Sequence, residues 1–382
     1  MKIGLVTTYR IDNYGTKLQA YAIQQALKKG DNEVVIINYY PAYDIRPKVL
    51  VVKGIRKLIS FLSKNREGKC INGENAKRRH EAISSFDKYY TLSLPIKGYH
   101  KLKNIVSEYD CFVCGSDQIW AAGNNITDFY NLNFVDNRKP TISYAPSFGT
   151  KRIPKLLQNS YKKFLKQIDI ISVRESSGVS LIENLIGRKV EQVLDPTLLI
   201  EKKIWDSLIK NDKYKIPYEN YIFCYFLGKE SSHREFAQKL SLLHGCKIIN
   251  IAHMKGFCFA DENFASLNLY DISPITFIRL IENAEYICTD SFHGTVFSII
   301  FKKEFFTFER FKNSDNSSTN SRIYSLLRLL GLESRLVKNE ISLPMALIDY
   351  NSIHERLNVE RKKSELFLNN ALNKIIGDEN IR

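Results

Sequence analysis

Apolar runs and amphipathic stretches alternate from the first residues of this chain. Residues 3–7 form an apolar run, a polar loop covers 8–15, and apolar residues recur at helical spacing over 16–29 before a second apolar run at 33–38. A short apolar run bounded by polar residues is typical of a buried strand, and apolar residues three or four positions apart are typical of a helix. The order strand, helix, strand predicts a parallel sheet.

Three later apolar runs end in loops of small or charged residues. The runs cover 109–114, 140–145 and 168–173, and the loops that follow them begin at 115, 146 and 174. The carboxyl ends of parallel strands lie on one edge of a sheet, and ligands bind at that edge. We therefore expect these loops to meet on the ligand-binding rim of a first αβ domain.

A second series of apolar runs begins after the lysine-rich stretch 201–218. Strands are predicted at 221–226, 247–251, 286–288 and 304–308, helices at 232–244, 273–283 and 321–330, and a last helix at 352–376. The predicted fold class is α/β, with two Rossmann-like domains facing each other across a cleft. The expected division is an N-terminal domain over 1–200, a C-terminal domain over 201–350, and a segment over 351–382 that packs back across the domains.

Length and charge support two domains and an anionic partner. The 382 residues exceed what one core usually organises, and 44% hydrophobic with 25% charged residues is typical of a globular protein. The formal net charge is +15, yet the sequence has no paired Cys/His finger, no RNP-like strand and no arginine-rich tail. An anionic small substrate or an anionic membrane surface is therefore expected, and no nucleic acid.

Basic residues are concentrated between positions 47 and 83. Ten Lys or Arg stand there against three Glu, a difference of +7, and apolar residues recur at helical spacing over 55–62. The pattern predicts a basic helical insertion near 47–100 in the N-terminal domain. It is either a helix facing a membrane surface or lipid carrier, or a helix packed on the domain with its basic face in solvent. The second interpretation is favoured because amphipathic patterns mostly reflect core packing.

The seven cysteines do not indicate a metal site. Cys111 and Cys114 lie inside an apolar run and have no second pair at ligand spacing, so we expect buried thiols, as suits a reducing cytoplasm. No metal or other cofactor is expected. The chain begins with a strand, without the features of a signal peptide, and no apolar run reaches the roughly 20 residues of a membrane helix. The expected location is the cytoplasm, with peripheral contact at the inner face of the membrane.

The turn from Thr289 to Gly294 is the leading candidate for chemistry. It follows the apolar run at 286–288 and precedes an apolar helix-like run from Thr295. A helix that begins there points free N–H groups and its positive dipole end at a bound anion. His293 is then placed for acid/base chemistry or for contact with a phosphate, although a histidine at this position also caps helices or fills pockets.

Arginines on both predicted domains could surround an anion. Arg174 ends an otherwise apolar strand, and its buried guanidinium needs a partner. We favour a carboxylate or phosphate ligand over the adjacent Glu175 or a partner across the cleft. Arg310 and Arg322 follow the strand after His293 and add positive charge on the opposite side.

Small polar residues in other strand-end loops could bind a sugar or a phosphate. Such residues supply hydroxyl, amide, carboxylate and backbone N–H groups, and they also serve as turns and helix caps. The candidates are Asn13, Gly15, Gly115, Ser116, Asp117, Gln118 and Ser147, together with Ser291, Gly294 and Thr295 of the histidine turn.

Several of these strings, in this order, resemble the polysaccharide pyruvyl transferase family over nearly the whole chain. They are Asn13-Tyr14-Gly15 with Leu18, Tyr21 and Ala22; Gly115-Ser116-Asp117-Gln118-Ile119-Trp120; Tyr144-Ala145-Pro146-Ser147-Phe148-Gly149; Val173-Arg174-Glu175; Leu194-Asp195-Pro196-Thr197; Thr289-Asp290-Ser291-Phe292-His293-Gly294; and Arg322-Ile323. The resemblance implies a fold similar to GT-B glycosyltransferases. It also implies a reaction in which phosphoenolpyruvate donates its pyruvyl group, as a ketal, to two hydroxyls of a sugar or lipid-linked oligosaccharide.

The resemblance also implies roles for individual residues. By position, His293 and Arg174 match the histidine and arginine that contact the donor in such enzymes. His293 either protonates the donor or contacts the departing phosphate. Asp290 or Asp117 deprotonates an acceptor hydroxyl, or Asp290 orients His293. Two alternatives stay open: a GT-B-type glycosyltransferase that uses a nucleotide sugar, and a non-catalytic basic protein that binds nucleic acid or a membrane surface.

Overall fold

The structure is a computed structural model that describes residues 1–44, 46, 73–121, 128–136, 139–253, 258–311, 320–338 and 345–379. Residues 47–72 of the predicted basic insertion lie outside the described residues. Every helix in the described part of the chain is too short or too polar to cross a lipid bilayer.

The first half of the chain builds a six-stranded parallel sheet. The strand order is β2-β1-β5-β6-β7-β8, and Leu5 of β1 pairs with Ile36 on one side and Val113 on the other. Two further short strands, β3 and β4, pair separately. The elements are β1 (Lys2–Val6), α1 (Tyr14–Leu27), β2 (Glu33–Ile36), β3 (Tyr39–Tyr40), α2 (Gly73–Ser84), β4 (Ile96–Lys97), α3 (Tyr99–Asn104), β5 (Cys111–Cys114), β6 (Thr141–Ser143), α4 (Lys155–Gln167), β7 (Ile170–Val173), α5 (Ser176–Ile186), β8 (Glu191–Gln192), α6 (Pro196–Leu199) and α7 (Lys202–Ile209).

The second half builds another six-stranded parallel sheet, in the order β11-β10-β9-β12-β13-β14. Numbered within this sheet the order is 3-2-1-4-5-6, that of a doubly wound fold, and the strand order reverses between β9 and β12. In the first sheet it reverses between β1 and β5. The elements are β9 (Tyr221–Tyr225), α8 (Ser231–His244), β10 (Lys247–Ile251), β11 (Leu267–Leu269), α9 (Pro274–Asn283), β12 (Tyr286–Thr289), α10 (Phe292–Ile300), β13 (Glu304–Phe308), α11 (Ser321–Leu330), β14 (Leu336–Val337) and α12 (Tyr350–Glu379).

The central strands are apolar because helices cover both faces of each sheet. All four residues of β5 and all five of β9 are buried. A parallel sheet covered on both sides selects such continuous apolar runs rather than alternation. The prediction that Cys111 and Cys114 are buried is confirmed.

Helix α1 joins the two domains. It begins at Tyr14, two residues before the predicted start, because the side chain of Asn13 accepts a hydrogen bond from the Thr16 N–H at 3.1 Å and caps the helix. The Tyr14 ring stacks on Phe277 of α9, with 4.9 Å between ring centroids. Twelve of the 14 residues of α1 are buried, since both domains pack on it.

The last helix, α12, returns to the first domain. The Ser364 hydroxyl accepts a hydrogen bond from the Leu194 N–H at 3.0 Å, and Arg361 Nε donates to the Leu198 carbonyl at 2.9 Å. Strand β8 covers only Glu191–Gln192, and the chain then leaves the sheet beneath α12. Because strand β8 ends early, Asp195 lies near the cleft.

Candidate active site

A cavity of about 530 Å³ lies where the strand-end loops of the two sheets meet. It is at the point in each sheet where the strand order reverses, which is where open α/β sheets bind ligands. The first domain contributes Thr8, Ile11, Asp12, Asn13, Thr16, Asp117, Gln118 and Ala121, and the second contributes Leu227, Asp290, Ser291, Phe292, His293, Arg310, Asn320, Arg322 and Ile323.

His293 is the second residue of α10 and is buried at the cavity wall. The Ser291 side chain caps this helix by accepting the Gly294 N–H at 3.3 Å. Nε2 of His293 lies 3.6 Å from Oδ2 of Asp195 and has no hydrogen-bond partner among the described residues. On the other side of the ring, a Cβ added to Gly15 would lie 2.1 Å from Nδ1, so only glycine leaves room for the imidazole there.

Asp195 is the buried anion behind His293. Its Oδ1 caps α6 by accepting the N–H of Thr197 at 3.0 Å and the Thr197 hydroxyl at 2.6 Å. Its Oδ2 accepts from Arg174 Nη1 at 2.6 Å. Burial would raise the pKa of the Asp195 carboxyl, but the neighbouring His293 and Arg174 hold that pKa well below its usual range.

Arg174 lies behind the cavity wall. Its guanidinium bonds to Asp195 and covers the ring of Phe292 at 4.4 Å, while Nη2 and Nε lie 3.8 Å from Asp117 and Glu175. Burial favours loss of its proton, but these three carboxylates raise its pKa, so Arg174 is charged. The sequence favoured a ligand as its partner, whereas the structure gives it Asp195, because strand β8 ends early and brings that carboxylate beneath it.

Asp117 faces the cavity as an ionised carboxylate. Its Oδ2 accepts the Thr16 hydroxyl at 3.0 Å, and Arg322 Nη1 lies 3.9 Å from its Oδ1. Burial would raise the pKa of Asp117, but Arg174, His293 and Arg322 lower it. Burial and the charge of Arg174 lower the pKa of Arg322 to about 10, which leaves Arg322 protonated at neutral pH.

Asp290 does not orient His293. Its two oxygens accept the backbone N–H groups of Leu227 at 2.6 Å and Gly228 at 2.7 Å. Burial raises the pKa of Asp290, and these two hydrogen bonds oppose the rise only in part. The interpretation in which Asp290 orients the imidazole is therefore wrong, since Asp195 is the carboxylate that faces it.

The structure divides the predicted site residues into two groups. Those that line the cavity are Asn13, Asp117, Gln118, Asp290, Ser291, His293, Arg310 and Arg322, and those that lie behind it are Gly15, Gly115, Ser116, Ser147, Arg174, Gly294 and Thr295. The second group supports the wall. Ser147, for example, donates to Glu175 at 2.8 Å, and a Cβ at Gly115 would lie 1.9 Å from the Tyr144 carbonyl oxygen.

The sequence interpretation assigned no role to Asp195, Asp12 or Asn320. A signal existed for Asp195, because it follows the apolar residues Val193 and Leu194 and precedes Pro196, as a helix-capping aspartate does. Asn320 lines the cavity beside Arg322, in a stretch with no such pattern. Within the described ranges, no group of three His, Cys, Asp or Glu side chains is placed to hold a metal ion.

Comparison with solved structures confirms the fold. UDP-GlcNAc 2-epimerase from Neisseria meningitidis, solved with UDP-GlcNAc, is 10% identical, with a TM-score of 0.51 over 98% of this chain and 100% of that one. UDP-N-acetylglucosamine 2-epimerase from Rickettsia bellii is 8% identical, with a TM-score of 0.50 over 98% of each chain. ADP-heptose LPS heptosyltransferase II from E. coli is 12% identical over 96% of this chain and 100% of that one, but its TM-score of 0.41 is too low to support the fold. The likeness concerns the GT-B-like pair of αβ domains that the sequence predicted.

Comparison with family descriptions is more specific. A comparison with curated protein sequences found no match. The model of the polysaccharide pyruvyl transferase family matches residues 13–312, which include the loops after β5, β9 and β12 that contribute to the cavity. The chain therefore belongs to the polysaccharide pyruvyl transferase family.

Proposed function

We propose that this protein moves the pyruvyl group of phosphoenolpyruvate onto two hydroxyls of a sugar, forming a ketal in a cell-surface polysaccharide or its precursor. One observation carries the proposal: the two walls of the cavity differ in chemistry. The second domain presents Arg310, Arg322 and the start of α10, whereas the first presents carboxylate, amide and hydroxyl groups. A small anion with a phosphate and a carboxylate suits the basic groups of the second domain, and sugar hydroxyls suit the polar groups of the first domain.

The donor would bind against the basic wall. Phosphoenolpyruvate carries a phosphate and a carboxylate, and guanidinium groups bind both with charge-assisted hydrogen bonds. Arg310 lies in the loop after β13 and Arg322 in the first turn of α11, and the N-terminus of α10 adds its positive dipole end. Arg174 acts from behind by balancing Asp195 and Asp117.

The acceptor would bind against the wall of the first domain. Asp12, Asn13, Thr16, Asp117 and Gln118 line it, and such side chains exchange hydrogen bonds with sugar hydroxyls. Asp117 is ionised and faces the cavity, so it is the group placed to take a proton from a hydroxyl.

The reaction balances with the groups present. A proton adds to the vinyl carbon of phosphoenolpyruvate, and the oxygen of one sugar hydroxyl bonds to the neighbouring carbon as its proton leaves. The second hydroxyl then loses its proton, bonds to the same carbon and displaces inorganic phosphate. His293 either supplies the first proton or contacts the departing phosphate, and the Asp195 anion at 3.6 Å stabilises positive charge on the imidazole in both roles.

The test is release of phosphate from phosphoenolpyruvate across a panel of acceptor glycans, with mass spectrometry to find the ketal. We expect acceptor-dependent release, and a fall of about 10³-fold in His293→Ala. His354→Ala is the matched control, because His354 contacts the Ile299 carbonyl outside the cavity. Normal pyruvyl transfer by His293→Ala would contradict the role of His293. Turnover of a nucleotide sugar without turnover of phosphoenolpyruvate would contradict the function itself.

A further inference from the structure

The outer side of helix α4 is basic and carries one exposed leucine. The helix buries Tyr161, Phe164 and Leu165 against the first domain, which turns the opposite side to solvent. We call this side, with the two basic residues that precede the helix, the α4 face. Its residues are Lys151, Arg152, Lys155, Leu156, Lys162, Lys163 and Lys166, all exposed.

The positive charge of the α4 face is not compensated. No acidic residue occurs between positions 151 and 167. Within the described part of the chain, none of the six cations of the face has a carboxylate within ion-pair distance. By contrast, Lys17, Lys29 and Lys202 elsewhere on the protein each pair with a carboxylate.

Leu156 makes the α4 face more than a solvated charge cluster. Its side chain is 97% exposed, and it lies on the same side of the helix as Lys163, two turns further along. From Lys155 to Lys166 the face extends about 16 Å, at roughly 1.5 Å per residue. Lysines are attracted to anionic headgroups, and an exposed apolar side chain can enter the boundary with the acyl chains. The α4 face has groups for both kinds of contact.

The α4 face begins beside the cavity. It starts two residues after Gly149, whose Cα is packed against the side chain of Gln118, a residue of the cavity wall. Lys151 Nζ lies 6.0 Å from the centre of the Tyr324 ring, and Tyr324 follows the cavity residues Arg322 and Ile323 in α11. A surface in contact with this face therefore lies next to the site.

We propose that the α4 face docks the protein onto an anionic phospholipid membrane. Each lysine near such a surface is attracted by the negative potential of the headgroups, and Leu156 enters the boundary between headgroups and acyl chains. Nucleic acid would satisfy the lysines but would leave Leu156 in water. The docking depends on the α4 face alone and does not depend on the proposed reaction.

The test is co-sedimentation of the full chain with vesicles of phosphatidylcholine alone or with added phosphatidylglycerol. We expect binding to the anionic vesicles, with release by high salt, and little binding to the neutral ones. The triple variant Lys155→Gln, Lys162→Gln, Lys166→Gln is expected to bind about a hundredfold more weakly. Leu156→Ser is expected to bind about tenfold more weakly.

A matched control removes the same charge from another surface. Lys210, Lys213 and Lys215 are exposed in the segment before β9, and their replacement by Gln should leave vesicle binding within about twofold. Unchanged binding of the α4 triple variant would overturn the proposal, as would equal losses in the two triple variants. Binding to a DNA duplex but not to anionic vesicles would also overturn it.

Discussion

Asp195 and Asp290 are both buried carboxylates that follow strands at the cleft, one in each domain, yet their surroundings differ in kind. Asp195 faces the cation Arg174 and the imidazole of His293, and Asp290 accepts two backbone N–H groups. The pKa of Asp195 is lowered and that of Asp290 is raised, although burial acts on both in the same direction. Charged neighbours, rather than burial, therefore decide which of the two is a permanent anion.

The difference suggests separate duties within one site. Asp195 balances the charge of Arg174 and would stabilise a protonated His293 during the reaction. Asp290 holds the loop after β9 against the loop after β12, since Leu227 and Gly228 belong to the first and Asp290 to the second. Replacing each aspartate in turn by asparagine should separate these two roles.

The largest expected effect is that of Asp195→Asn. It removes the anion that faces Arg174 and His293, so the free energy of unfolding should fall by about 3–5 kcal/mol. Transfer of the pyruvyl group should fall by about 10³-fold. Urea unfolding and phosphate release measure the two effects.

Asp290→Asn is the counterpart of that variant. An amide keeps one acceptor for the two backbone N–H groups, so we expect a loss of about 1–2 kcal/mol and a much smaller loss of activity. Equal losses of activity in the two variants would mean that the two carboxylates do not have distinct roles.

Two glycines extend the comparison with effects smaller than those of Asp195→Asn. In Gly15→Ala the new methyl group would lie 2.1 Å from Nδ1 of His293, and in Gly228→Ala it would lie 2.8 Å from Oδ2 of Asp290. Each overlap should lower stability by about 1–3 kcal/mol. Because Gly15→Ala displaces the imidazole, its activity should fall by about 10²-fold, and that of Gly228→Ala by less. If Gly228→Ala loses more activity than Gly15→Ala, the proposal that His293 matters more for the reaction than Asp290 is wrong.

The smallest effect is a difference in pH dependence. The pKa of Asp195 is lower in the folded protein than in the unfolded chain, where it is about 4. Between these two pKa values the unfolded chain binds more protons than the folded protein. The stabilisation by Asp195 is therefore complete above about pH 4 and is lost as the pH falls toward the folded pKa. The folded pKa of Asp290 is raised, so its contribution declines as pH rises from about 4 through that folded pKa. For either carboxyl, a difference of about one between its folded and unfolded pKa changes the free energy of unfolding by about 1.4 kcal/mol.

Urea unfolding of the wild type and both Asn variants between about pH 4 and pH 7 measures how the free energy of unfolding depends on pH. The stability difference between wild type and Asp195→Asn should stay constant over this range. The difference between wild type and Asp290→Asn should change in favour of the variant as pH rises. A constant difference for both variants would contradict the raised pKa of Asp290.

Local pattern was sufficient to predict the central strands of both sheets and several of the helices, but not helices α4 and α5 or strand β11. Apolar runs identify β5 and β9 because helices cover both faces of a parallel sheet. The helix predicted at 321–330 coincides with α11 (Ser321–Leu330). Helix α1 was placed two residues late, because a cap by Asn13 depends on a hydrogen bond that apolar spacing does not record.

Partners across the site could not be predicted in the same way. Arg174 was correctly expected to need a partner, but Asp195 is 21 residues away and reaches it only because β8 ends early. The fit of Gly15 against His293 joins residues of different domains. Both contacts depend on how the sheets pack, which sequence spacing does not contain.

By itself the sequence determined two parallel sheets, a histidine turn at a strand end and membership of the pyruvyl transferase family. These features depend on neighbouring residues or on the order of short strings, and both are read along the chain. Only the tertiary structure decided that Asp195 rather than Asp290 faces His293, and that Arg310 and Arg322 line the cavity while Arg174 lies behind it. The physical reason is that ionisation and contact follow distances of a few ångströms, and residues far apart in the chain set those distances.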